Sequence, residues 1–68
     1  MLLYDVSYYT KDGKRLADCD SAVGDHYIEG ASKSYPNEYL ACRCLNGDRS
    51  ASYWMLAGEV VQPPAFAK

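Results

Sequence analysis

The sequence has little of what enzymes and nucleic-acid-binding proteins depend on. It holds one histidine, His26, so any imidazole-based mechanism must use that residue. No nucleophile elbow or orienting motif surrounds His26 or any cysteine. Its five glycines are scattered singly, which excludes a glycine-rich phosphate loop. The acids of "DCDSAVGD" do not make a calcium loop, because Ala22 and Val23 stand at the fifth and sixth positions, where a ligand and a glycine are required. The expectation is a protein that is not an enzyme and carries no cofactor.

Basic excess is absent too. The net charge is −2, which argues against indiscriminate binding to DNA or RNA, where a basic face supplies the affinity. No apolar run approaches the length of a membrane span, so no membrane association is expected. The opening "MLLYDVSYY" has no basic start and meets Asp5 at once, unlike a secretory leader. Three cysteines cannot all pair within one chain, and the expectation is free thiols in the cytoplasm.

Cys42 and Cys44, with Cys19 and His26, form a chemically legitimate Cys3His zinc set. The single residue between Cys42 and Cys44 is too short for the turn that zinc cysteines flank. On a strand both would point the same way, and free cysteine packs as a small hydrophobe. The reading is core packing, with no metal.

What is present is aromatic bulk. Seven tyrosines, Trp54 and Phe66 serve a chain of 68 residues, and rings burying roughly 150–250 Å² each can build a core at this size. "LLYDVSYYT" alternates, with Tyr4, Val6 and Tyr8 on one face and Asp5, Ser7 and Tyr9 on the other, as a strand does. "KDGK" is a hairpin turn, and "RLADCDSAV" returns as a strand that Gly24 breaks. "DHYIEG" (25–30) reads as a short strand with Tyr27 or Ile28 inward, and "ASKSYPN" (31–37) as an extended loop. "EYLACRCL" is a strand with Leu40, Cys42 and Cys44 on one face. "NGD" turns the chain, "RSASYWMLA" returns it, and "GEVVQ" adds a last short strand before Pro63 and Pro64.

The expected fold is all-β. Residues 1–62 form a single small domain, a five- to six-stranded antiparallel sheet or barrel built from hairpins, and residues 63–68 form a C-terminal tail that is loose unless Phe66 packs down.

The stretch "EYLACRCLNGDRSASYWMLAGEVV" (38–61), with Tyr39, Leu40, the following hairpin and Arg49, resembles the second half of a WYL domain. The opening "VSYYTKDGKR" also fits, and Glu38 stands where that signature has Trp. The resemblance implies an SH3-like or Sm-like β barrel that binds nucleic acid or a nucleotide ligand, here through Tyr39, Arg43 and Arg49. The family's arginine-bearing segment corresponds to "ASYWMLAG", which has no Arg or Lys. Tyr53, beside Tyr9 and Tyr39, is a further candidate for a base-stacking face.

Charge is unevenly placed. Asp18, Asp20, Asp25 and Glu29 fall between Leu16 and Ser32, a stretch without Lys or Arg. The favoured function is therefore a non-enzymatic module acting through protein–protein contacts, such as a phage-type inhibitor or regulator of a host complex. It would meet a basic partner surface with Tyr9, Asp18, Asp20, Asp25, Glu29, Tyr35 and Tyr39. The alternative is the WYL-like nucleic-acid or nucleotide-ligand reading, and a homodimer formed through an edge strand is a third.

Overall fold

A computed structural model describes residues 3–47 and 52–67, with residues 17–23 and 25 described by their backbone alone. Five strands and one helix follow in the order β1 (Leu3–Tyr9), β2 (Arg15–Val23), α1 (Asp25–Ser34), β3 (Tyr39–Cys44), β4 (Tyr53–Leu56) and β5 (Glu59–Val61). The strands make one antiparallel sheet in the order β2-β1-β3-β4-β5. The expected antiparallel sheet of hairpin-linked strands is present. The sheet is open, with β2 and β5 as its margins among the described residues. No helix among the described residues is long and apolar enough to cross a membrane.

The alternation in β1 and β3 sets the layers. Tyr4, Val6 and Tyr8 are buried while their neighbours are half-exposed, and Leu40 and Cys42 repeat the pattern. The register pairs Val6 with Cys42 and Tyr8 with Leu40, and β4 brings Met55 opposite Leu40. These side chains form one apolar surface, and α1 lies on it with Ile28 fully buried. Burying a side chain such as Ile28, Leu40 or Met55 contributes roughly 1.5–3 kcal/mol. Cys42 is buried in this core, as its strand position implied, and Cys44 is half-buried beside it.

The strand expected over 25–30 is instead the first part of α1, and the helix also takes residues 31–34 of the expected loop. Ile28 is 0% exposed whereas Tyr27 is 53% exposed. The buried positions Ile28 and Ser32, with half-buried Ala31, recur at the three- and four-residue spacing of a helix rather than the two-residue spacing of a strand. Glu29 pairs with Lys33 one turn on, at 3.0 Å. The Tyr35 N–H donates back to the carbonyls of Ala31 and Ser32, and Pro36 disfavours helical geometry at the residue before it.

One buried hydroxyl ties helix to sheet. Ser32 is fully buried, and its Oγ accepts the Gly58 N–H at 2.8 Å. Gly58 and Ala57 form the two-residue turn between β4 and β5, both with positive φ (84° and 51°). Hairpin turns of type I′ demand this at both positions, and alanine adopts it at some cost. Replacing Ser32 with Ala should leave the part-buried Gly58 N–H without its partner and cost about 1 kcal/mol. Chemical denaturation would register this as a lower midpoint with an unchanged slope.

Candidate functional site

The sheet face away from α1 is built by the residues that alternate with the core. Tyr9, Tyr39 and Leu56 form one cross-strand row; Ser7, Ala41, Trp54 and Val61 form the next; Asp5 and Arg43 form a third. Among the described residues every side chain in these rows is half-exposed except Arg43, which is exposed. Among the described residues no second α-helix covers this face. Part of it is covered by the chain's own tail, where Ala65–Ala67 form a short 3-10 helix and Pro64 is buried.

Phe66 packs down, as the sequence left open. Its ring lies 5.6 Å from Tyr9, 5.7 Å from Tyr39 and 5.8 Å from Trp54, centroid to centroid. Tyr9 and Trp54 are themselves 5.4 Å apart, and Tyr39 and Trp54 6.3 Å. These separations and tilted or edge-on geometries are favourable for aromatic pairs. The hairpin turn after β1 receives the ring directly: a Cβ on Gly13 would sit 2.8 Å from Phe66 Cγ. Gly13 also has φ of +97°, so this glycine is required twice, by the turn and by the ring against it.

Beyond the aromatic cluster the face is open. One cleft of about 450 Å³ is lined by Ala41, Arg43, Ser52, Trp54, Val61 and Pro63, among others. A second, of about 350 Å³, is lined by Asp5, Ser7, Tyr9, Arg15, Ala41 and Arg43. They share Ala41 and Arg43. The Arg43 guanidinium donates to the Asp5 carboxylate at 2.8 Å across the β1–β3 pair.

The site residues expected from sequence therefore divide. Tyr9, Tyr39 and Arg43 share the open face. Tyr53 does not: it lies against the core side, edge-on to Tyr4 at 5.7 Å, because it is one residue out of step with Trp54. Glu29 lies on α1, and Tyr35 at its end packs edge-on to Tyr8 at 5.4 Å. Tyr35 borders a separate depression with His26 and Tyr27 on the helix side. Asp18 and Asp20 lie on β2, Asp20 in register with Val6, and Asp25 opens α1. Their side chains, like Cys19, are outside what the structure describes, as is Arg49 altogether. A single patch uniting Tyr9 and Tyr39 with Glu29 and Tyr35 does not form, because the sheet separates them. No three potential metal ligands gather among the described residues.

Trp54, Phe66, Ser7, Ala41 and Arg15 are the members that sequence reasoning did not assign. Trp54 could have been found, since a strand puts it on the face opposite Tyr53 and Met55. Phe66 could not, because its contacts come from three distant strands.

Two exposed carboxylates are held below their usual range. The Thr10 hydroxyl donates to Asp12 within the β1–β2 turn, and backbone N–H groups reinforce it. Lys33, by hydrogen bond and charge, does the same for Glu29.

Comparison of the chain with protein-family models, with curated proteins and with solved structures finds no match. Fold and site define a small antiparallel β protein, backed by one helix on one face and carrying an aromatic, arginine-bearing surface on the other.

Two outcomes are expected. Phe66→Ala should cost about 2 kcal/mol, below the ~3–5 kcal/mol of a fully buried ring because this one is half-exposed, and should shift the emission of Trp54. Because Asp12 and Glu29 have lowered folded-state pKa values, their contribution is present above the ordinary carboxylate range and is lost as pH falls through the folded values. The melting-temperature gap between the parent chain and an Asp12→Asn, Glu29→Gln variant should thus narrow between pH 7 and below about pH 4.

Proposed function

We propose that this chain is a non-enzymatic binding module that acts by protein–protein contact, presenting the sheet face opposite α1 to its partner. The observation that carries this reading is the half-exposed cluster of Tyr9, Tyr39 and Trp54 beside exposed Arg43. Tyrosine, tryptophan and arginine are the side chains that dominate binding hot spots. Size favours use of a whole face. The molecule measures 32 × 25 × 22 Å, so one face offers about the ~800 Å² that one partner contributes to a standard interface. Such a module regulates or inhibits by occupying its partner's surface.

A second reading, the WYL-like one, has the observation that Tyr39 and Arg43 share this face with Tyr9 and Trp54. It makes the ligand a nucleotide or a single strand, with bases on the rings and phosphate on the arginines.

Ala41 lies at the middle of the face, so Ala41→Arg should block it. Tagged parent and Ala41→Arg chains, each shown to be folded, would be used to capture partners from nuclease-treated bacterial lysate. Loss of one dominant protein with Ala41→Arg, but not with Tyr35→Ala, is the expected result. Capture that persists with Ala41→Arg yet vanishes when Asp18, Asp20, Asp25 and Glu29 become Asn or Gln would move the interface to a basic partner surface. Capture that disappears with nuclease alone would favour the nucleic-acid reading.

A further inference from the structure

The two clefts of the open face meet at Ala41 and Arg43, and together they make a trough over β1 and β3. Ser7 and Ala41, paired in register, are its floor, and both side chains are small. Two residues along each strand, Tyr9 and Tyr39 rise as an aromatic wall; two residues the other way, Asp5 and Arg43 rise as a charged one. Trp54 and Val61 continue the floor row towards β5 as taller groups, with Pro63 lining the same end. Arg15 borders the other end, by β2. The two walls are four residues apart along β1, or about 14 Å between backbones, at ~3.4 Å per residue.

Resting on the reading that this face is a protein interface, we propose that the trough holds an extended, proline-bearing peptide with a carboxylate side chain from the partner. Three features select that occupant. First, the middle of a sheet has no free backbone donors or acceptors, so strand addition is excluded there and the ligand must bind by its side chains. A polyproline II segment has no internal hydrogen bonds and docks into aromatic-lined grooves in that manner. Second, the chain's own tail already shows the chemistry. Pro63 lines the cleft with Trp54, Pro64 is buried, and Phe66 completes the aromatic wall. Third, the charged wall favours an acid. Arg43 is 71% exposed at its side chain and engages Asp5 through one guanidinium nitrogen, while its planar fork carries five N–H donors.

Trp54 is the only tryptophan and lines the cleft, so its emission reports occupancy. The full chain would be titrated with a capped hexapeptide of prolines bearing one glutamate, with the same peptide bearing lysine instead, and with oligothymidylate. A saturable change with the glutamate peptide, at least tenfold weaker with the lysine peptide and with Arg43→Ala, and absent in Ala41→Arg, is expected. Circular dichroism melts would confirm that both variants fold, and the exchange of glutamate for lysine tests the charge without altering the protein. No saturable change up to millimolar glutamate peptide, equal responses to the two peptides, or tighter binding of oligothymidylate would overturn the proposal. If Ala41→Arg removes the captured protein while no peptide binds, the interface stands and only its proline-peptide occupant fails.

Discussion

A ten-residue helix is about 15 Å long, while five strands span about 19 Å from margin to margin, so α1 cannot cover the whole sheet. The fold follows from where that limited cover is spent. Ile28 meets the centre, where Tyr4, Val6, Tyr8, Leu40 and Cys42 are concentrated on β1 and β3. The far margin is left outside, and Val60 on β5 is 67% exposed. Ser32 compensates in part by binding the Gly58 N–H, which holds the β4–β5 turn against the helix without needing apolar area.

The same limit determines the other face. Strands that alternate so regularly must present half their residues away from α1, and among the described residues no second α-helix lies there. It uses a tail instead. Phe66 reaches the turn at Gly13 and the rings of Tyr9, Tyr39 and Trp54, so the C-terminal segment is joined to β1, β3 and β4 through an aromatic cluster. What the tail leaves uncovered is the Ser7–Ala41 floor and the Asp5–Arg43 bridge. Exposed ion pairs of that kind contribute about 0–1 kcal/mol, which makes their arrangement more informative about binding than about stability.

Much of this was legible in the residues. Alternation in "LLYDVSYYT" and "EYLACRCL" correctly put Tyr4, Val6 and Tyr8 on one shared face and Leu40 and Cys42 in the core, because a two-residue period needs no knowledge of the partner strand. The turn at Gly13 was marked by glycine for the same local reason, whereas Gly58, expected to open the last strand, belongs to the turn before β5. The helix was missed because "DHYIEGASKS" has few strong helix formers and contains Gly30; its buried stripe is only Ile28, Ala31 and the polar Ser32. Its acids early, Lys33 late and Pro36 beyond the end were the available signals.

Sequence by itself marked β1 to β5, along with a strand over 25–30 that the helix replaces, and determined the fate of Cys42, since these depend on period and side-chain size within a few residues. It also placed Tyr9, Tyr39 and Arg43 on outward positions of their own strands. Only the tertiary structure decided that these three share a face, that Tyr53 leaves them, that Phe66 completes the wall and that Tyr35 lies on the opposite side. Those relations depend on strand order and register, which are set by which elements α1 covers, and no local pattern encodes that.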